Sequence, residues 1–372
     1  MSIAIVKGAP GHYRIGEGAL KELAPQLLEL NIKKIHIVCG RKAWEAVQPY
    51  WPEEITRCAG NSFTFVEGHC TLAAVEEIAE ALSASSADAV IGIGGGTALD
   101  LAKAAAAKAG VKSVLVPTIA STCSAWTPLS VFYDDNGAFT HYTEFPVANT
   151  LVLIEPAIIA AAPIRYLLAG IGDTLAKYYE AEALISAFYK DEELPVWLKV
   201  SRFSASICRD VLLKDTTEAI QSVERQNVTK ELVSVIEAII LTGGMVGGFG
   251  GKAGRIAGAH SVHNGLTLAK EAKSFLHGEL VAYGILVQLA LEEKDDELNK
   301  LLHFYREWGF PASLKDLGIH HENHELLGKI AQRATLPQES IHFMDSAISE
   351  EKLLSAIHKL ENTHYAIADK GK

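Results

Sequence analysis

Residues 87–110, "ADAVIGIGGGTALDLAKAAAAKAG", run from an apolar stretch through four glycines into an alanine-rich helical pattern closed by Gly110. A strand that ends in glycine and turns at once into a helix is the building block of a parallel sheet. Neighbouring segments repeat the theme. Apolar runs at 34–40 ("KIHIVCG"), 63–68 ("FTFVEG"), 113–118 ("SVLVPT") and 150–156 ("TLVLIEP") read as strands, and 72–86 ("LAAVEEIAEALSASS") reads as a helix between them. The runs are continuous rather than alternating, so these strands are expected to be buried on both faces.

Beyond residue 156 the strand signals fade. Helical patterns occupy 164–189, 231–248, 279–293, 299–309 and 350–362. The expected architecture is therefore an α/β domain over 1–160 followed by an all-α domain over 161–372, with a cleft between domains as the default place for a ligand. The 372 residues carry a net charge of −11 and show no Lys/Arg cluster, which argues against a nucleic-acid partner. Five cysteines, at 39, 58, 70, 123 and 208, lack any CxxC spacing and suit a reduced, cytoplasmic chain. No signal peptide is visible, and no run of about 20 consecutive apolar residues suggests a membrane span.

Glycines 92, 94, 95 and 96 let the backbone turn tightly and approach a pyrophosphate, while the following helix start offers N–H groups and a positive dipole end. Gly92-x-Gly94-x-x-Thr97 nearly matches the dinucleotide fingerprint. A tight strand–helix turn without ligand is the competing reading, and the acid expected about 20 residues later is missing from "GVKSVLVP". A second loop, "IASTCSAWTPLSVFYDDNGAF" (119–139), is rich in hydroxyls and reads either as a ligand-binding loop or as a solvated one; its aromatic residues favour the first.

Three histidines, His260, His263 and His277, sit in an otherwise small and apolar stretch. His260 and His263 share a face if the segment is helical. The acid best placed to join them is Asp173, set among apolar and glycine neighbours, where an isolated carboxylate would be costly. Two imidazoles and a carboxylate leave open positions on zinc or iron, as in catalytic sites. Hydrogen-bonded core histidines, and a capping or ion-pair role for Asp173, remain the alternatives.

The motifs "GGGTALDLAK", "VPTIAST…LSVFY", "GIGDTLAKYYEA" and "AHSVHNGLT…FLHGELVAYGILVQLALE" together resemble the glycerol dehydrogenase branch of the metal-dependent (iron-type) alcohol dehydrogenases, in order and over nearly the whole chain. "TIASTCSAWTPLSVFY", "LLAGIGDTLAKYYEA" and "GGMVGG" resemble in particular its hydroxycarboxylate dehydrogenase subgroup, which reduces 2-oxo acids with NADPH. The resemblance implies a dehydroquinate synthase-like fold, a nicotinamide cofactor, one divalent metal and a homo-oligomer. It maps the metal ligands onto Asp173, His260 and His277, and leaves His263 as a pocket residue. It assigns Gly95, Gly96, Thr97, Ala98 and Leu99 to the cofactor phosphates, and has Thr118, Ser121, Thr127, Leu129 and Tyr133 line the cofactor.

Three departures shape the expected activity. Cys123 stands where glycerol-type enzymes carry an Asp that contacts the polyol, which disfavours glycerol and removes a charge that would repel a 2-oxo acid. Gly40 and Arg41 replace the acid that holds the ribose 2′-hydroxyl of NAD, which favours NADP. Lys177 replaces a histidine found in some relatives, so three protein ligands and zinc are expected. The expectation is an NADP(H)- and zinc-dependent oxidoreductase for a small 2-oxo/2-hydroxy acid, with His263 and Cys123 as candidate catalytic residues. NAD-dependent glycerol dehydrogenase and, more remotely, a dehydroquinate synthase-like lyase are the alternatives.

Overall fold

The computed structural model describes residues 5–56, 62–189 and 193–370; Cys58 lies outside them. Two compact units emerge. One joins Lys7–Ile164 to Gln221–Gly244, and the other joins Arg165–Ile220 to Met245–Lys372. The sequence reading divides the chain near 160 and assigns everything beyond it to one helical domain; the structure groups 221–244 with the sheet-bearing unit instead.

The sheet-bearing unit opens with β1 (His12–Ile15), α1 (Leu23–Glu29), β2 (Ile35–Cys39), α2 (Arg41–Val47), α3 (Glu53–Thr56), β3 (Ser62–Phe65) and α4 (Leu72–Ser85). It continues with β4 (Ala89–Gly94), α5 (Gly96–Ala109), β5 (Lys112–Pro117), β6 (Leu129–Tyr133), β7 (Phe139–Glu144), β8 (Leu151–Ile154) and α6 (Pro156–Ala160). Six strands form one sheet, ordered β1-β8-β5-β4-β2-β3, and all its pairs are parallel. Strands β2, β4 and β8, apolar but for His36 in β2, are buried along their whole length, whereas edge strand β3 alternates half-buried and exposed residues. Order reverses between β2 and β4, because β3 lies outside β2 and the chain then returns to β2's other side. In open sheets the crevice at such a reversal, at the strands' carboxyl ends, is where ligands bind.

Two elements differ from the sequence reading. β1 was not expected, and the hydroxyl-rich loop contains β6, which pairs with β7 as a separate antiparallel hairpin.

The chain then forms α7 (Ile164–Phe188), α8 (Val196–Glu224), α9 (Lys230–Glu237), a π-helical turn (Ala238–Thr242), α10 (Gly243–Gly250), α11 (Gly258–Leu266), α12 (His277–Leu291), α13 (Asp295–Trp308), α14 (His324–Ala334) and α15 (Glu350–Lys370). No strand follows β8 among the described residues. The second unit is built around α12, which is apolar on every side and buried from Leu280 to Ala290, as a central helix must be. Helices α11, α13 and α15 pack on it. The run Lys230–Gly254 is long and apolar enough to cross a membrane by length and composition, although its glycines and threonine break any consecutive apolar count; 61% of its most apolar stretch is buried inside the protein.

Candidate metal centre and cofactor site

Helices α7, α11 and α12 approach one another through positions where no side chain fits. A Cβ on Gly172 would lie 2.3 Å from the Gly278 carbonyl oxygen, and one on Gly278 would lie 1.7 Å from that of Ala169. Likewise, a Cβ on Gly284 would lie 2.3 Å from the Ala259 oxygen. These contacts adjoin the three expected ligands in sequence: Gly172 precedes Asp173, Gly278 follows His277 and Ala259 precedes His260. Backbone-to-backbone packing thus carries the three side chains to one point.

At that point Asp173 Oδ1 lies 3.4 Å from His260 Nε2 and 3.4 Å from His277 Nε2. The three ligand atoms all fall within 4.8 Å of one another. Two donors each about 2.0–2.1 Å from a tetrahedral zinc ion would stand roughly 3.3–3.4 Å apart, so the observed separations and the N/N/O donor set fit such an ion. The other oxygen, Oδ2, lies 3.4 Å from Lys177 Nζ. Asp173 is buried, His260 nearly so, and the His277 side chain is 44% exposed, which opens the cluster on that side.

The electrostatics favour a cation. Burial alone would raise the Asp173 pKa, but Lys177 and the two histidines hold the carboxyl well below the usual range. Burial likewise opposes charge on His260, yet Glu180 and Asp173 more than offset it and push the imidazole up to about 9. Two buried acids therefore demand positive charge beside them, and in the metal-free protein a proton supplies it. His263 behaves oppositely: burial, with His277 and His260 close by, holds it well below the usual histidine range. Its Nε2 lies 3.0 Å from His277 Nδ1 and its Nδ1 lies 3.1 Å from Asn264 Oδ1, so both ring nitrogens are engaged.

Sequence reasoning missed Glu180. It is fully buried, its Oε2 lies 2.7 Å from His260 Nδ1, and its Oε1 accepts from Ala257 N–H and His260 N–H at 2.7 and 2.9 Å. The signal was available: 173, 177 and 180 follow the i, i+4, i+7 spacing of one helix face.

In the sheet-bearing unit, the residues expected to hold a cofactor gather at the carboxyl ends of β2, β4 and β5. Gly94 leaves β4 with φ +150, a conformation side chains resist, and Gly95 then precedes the first turn of α5. Gly96, Thr97, Ala98 and Leu99 form that turn; Leu99 N–H closes the first helical bond to Gly95 O at 3.2 Å, so the open N–H groups of this helix start, the kind that suits an anion, end at Ala98. Thr118 N–H donates to Gly94 O at 3.0 Å, which ties the end of β5 to the glycine loop. Gly40 caps α2, and the Arg41 guanidinium lies over the Phe65 ring at 4.8 Å, with an exposed ion pair to Glu67 at 3.9 Å.

The segment holding Ser121, Cys123 and Thr127 is not a free loop. The ammonium of Lys103, 1% exposed, pairs with Asp100 at 2.8 Å and donates to the carbonyl oxygens of Ser124, Thr127 and Leu129. Asp100 in turn accepts from Ser124 Oγ at 2.6 Å and Val131 N–H at 3.0 Å. Asn149 Nδ2 donates to the Ala125 and Thr127 carbonyls at 3.2 Å each. Leu129 and Tyr133 bound β6, and Tyr133 N–H donates to Cys70 O at 2.9 Å.

Known proteins resemble this chain in sequence and fold. Residues 10–156 match the model of the iron-containing alcohol dehydrogenase family. The chain is 41% identical over 360 residues to hydroxycarboxylate dehydrogenase A of Escherichia coli, covering 97% of this chain and 98% of that protein. It is 33% identical to a glycerol dehydrogenase of Pseudomonas putida, covering 94% and 95% of the two chains. The crystal structure of glycerol dehydrogenase from Schizosaccharomyces pombe superposes with a TM-score of 0.88 at 27% identity, covering 100% of this chain and 93% of that one. Sequence and fold agree over the full length, and the chain belongs to the iron-containing alcohol dehydrogenase family of oxidoreductases.

Proposed function

We propose that the protein transfers a hydride between NADP(H) and a small 2-oxo/2-hydroxy acid, using one divalent ion, with zinc preferred. The observation that carries the reading is the cluster of Asp173, His260 and His277, whose donor atoms lie within 4.8 Å of one another. Three ligands leave positions open, which suits substrate chemistry rather than a structural site. The similarity to hydroxycarboxylate dehydrogenase A supports the substrate class. So does Lys177, which puts a cation beside the cluster, 3.4 Å from Asp173, and so does the thiol of Cys123 in place of a carboxylate. Gly40 and the exposed Arg41 support NADP, since neither repels a 2′-phosphate. Among the described residues no disulfide joins Cys39, Cys70, Cys123 and Cys208, which suits a reducing compartment, for which we take the cytoplasm. We also take a homo-oligomer as the working assembly.

When bound, the ion supplies Lewis acidity toward the substrate oxygen, and the nicotinamide supplies or accepts the hydride. The chain's residues do the positioning. Lys177 holds Oδ2 of Asp173 and leaves Oδ1 facing both imidazoles. His263 has both nitrogens engaged, so we assign it the orientation of His277 and let the hydroxyl proton leave through water. The first turn of α5 receives the cofactor phosphates and the anchored segment 121–129 lines the cofactor.

The second reading, an NAD-dependent glycerol dehydrogenase, is favoured by the Pseudomonas putida relative and the Schizosaccharomyces pombe structure. A panel of 2-oxo acids, aldehydes and polyols, with NADPH, NADH and the oxidised cofactors and with and without chelator, separates the two. Chelator-sensitive NADPH oxidation by a 2-oxo acid is expected. Glycerol oxidation with NAD as the best reaction would overturn the proposal.

A further inference from the structure

Each imidazole of the candidate metal centre turns one nitrogen toward Asp173 Oδ1 and spends the other on a protein partner. For His260 that partner is Glu180. Its Oε1 is occupied by two backbone N–H groups, from Ala257 and His260, and its Oε2 lies 2.7 Å from His260 Nδ1. A carboxylate oxygen only accepts, so the proton stays on Nδ1, and Nε2, the nitrogen facing Asp173, is the one that can present a lone pair.

For His277 the path is longer and ends the same way. Arg333 pairs with Glu339, and Glu339 Oε2 accepts from Asn264 Nδ2 at 2.9 Å. That bond turns the Asn264 oxygen toward His263 Nδ1, 3.1 Å away, so His263 carries its proton there. Its bare Nε2 must then accept from His277 Nδ1, at 3.0 Å. The second imidazole thereby also has Nε2 as the nitrogen facing Asp173 Oδ1.

We propose that Glu180 and Glu339 are positioning residues that keep a proton on Nδ1 of His260 and His277, so that Nε2 is the nitrogen each imidazole turns to the ion. This rests on the reading that Asp173, His260 and His277 hold a divalent ion. Glu180 acts directly and Glu339 acts through Asn264 and His263.

The isosteric change Glu180→Gln gives a sharp test. The two backbone N–H groups claim the amide oxygen, so the amide NH2 must face His260 Nδ1. A donor there forces Nδ1 to accept and moves the proton to Nε2. Zinc affinity of the full-length protein, measured by competition with a chelator of known affinity, is expected to fall about 10–100-fold. Glu339→Leu is expected to weaken it at least about threefold. The melting temperature of the metal-free protein reports separately on folding, and 15N spectra of histidine-labelled, zinc-loaded wild type should show both ligands bound through Nε2. Zinc affinity within threefold of wild type in either folded variant, or a ligand bound through Nδ1, overturns the proposal. If Glu180→Gln does not fold, Glu339→Leu carries the test through His277. Zinc binding that survives Asp173→Ala would instead refute the metal reading itself, which keeps the two failures distinct.

Discussion

Lys103→Met removes one buried ammonium and keeps the stem of the side chain. The lysine is 1% exposed, and its partners are Asp100, Ser124 Oγ and the carbonyl oxygens of Ser124, Thr127 and Leu129. Removing one member of a buried ion pair costs about 3–5 kcal/mol, because the remaining charge keeps its desolvation penalty. Here Asp100 retains two donors, Ser124 Oγ and Val131 N–H, which argues for the lower end. Three backbone carbonyls lose a donor, which adds roughly 1 kcal/mol or more. The total is about 4 kcal/mol, equivalent to a fall of about 10 °C in the melting temperature of a domain of this size. Thermal and urea unfolding followed by tryptophan fluorescence measures it. Lys199→Met, which breaks an ion pair whose side chains are 51% and 87% exposed, is the control and should leave the melting temperature unchanged within error. The double variant Lys103→Met/Asp100→Asn should lose less than the sum of its parts, because both charges leave together. A loss below about 1 kcal/mol for Lys103→Met, or strict additivity in the double variant, would refute the claim that this pair holds the segment 124–131.

The His260 pKa of about 9 lies above the ordinary 6.5, so at neutral pH a proton occupies the metal-free site. Zinc affinity should therefore rise about tenfold per pH unit from 6.5 toward 9 and then level off, while the metal-free protein keeps His260's contribution to stability below 6.5 and loses it as pH climbs through 9; a flat affinity profile in chelator competition contradicts this. Gly278→Ala puts a Cβ 1.7 Å from the Ala169 oxygen, so α7 and α12 must separate beside two ligands. A stability loss of about 2–4 kcal/mol with zinc binding weakened in the same variant is expected from unfolding and metal titration, and wild-type values for both would dismiss the close approach as the organiser of the site. Gly40→Asp places an acid at the end of β2 and should shift the ratio of NADPH to NADH efficiency toward NADH by about tenfold or more; an unchanged ratio in steady-state kinetics removes Gly40 from cofactor selection.

The parts of the fold that were legible in sequence are those where one physical demand dominates. Strands β2, β4, β5 and β8 lie inside the sheet, need mostly apolar residues on both faces, and read as apolar runs broken only at His36 and at the Lys112–Ser113 start of β5. Edge strand β1, "HYRI", answers to a partner on one side only and carries no such run. The hairpin of β6 and β7 hid in its polarity, since β7 is exposed at nearly every position. Helix α8, the longest, escaped notice because the positions it buries include Ser201, Ser204, Ala205 and Cys208, small or hydroxyl residues that do not register as an apolar stripe. Ser201 shows why small residues are needed there: its Oγ donates to Val246 O at 2.8 Å, and a Cβ on Gly250 would lie 2.4 Å from that Oγ.

The candidate site shows the same division between demand and signal. Histidines in an apolar stretch stand out, and so does an aspartate just after two glycines in an apolar segment, because each is rare in such company. Their supports do not stand out. Asp100 and Lys103 read as an ordinary i, i+3 surface pair, and Glu180 as one acid among several on a helix; only burial distinguishes them. Both are costly to place inside a protein, and hydrophobic replacements of similar size would often be as stable. What such replacements could not do is hold an irregular segment by its carbonyls, as Lys103 does, or hold the Nδ1 proton of a ligand imidazole, as we propose for Glu180. Buried charge in this chain is thus better explained by what it orients than by what it stabilises. Where an acid and a base recur at helical spacing in a segment otherwise too apolar for a surface, the sequence does carry a signal, and in this chain both instances adjoin the residues expected to bind a ligand.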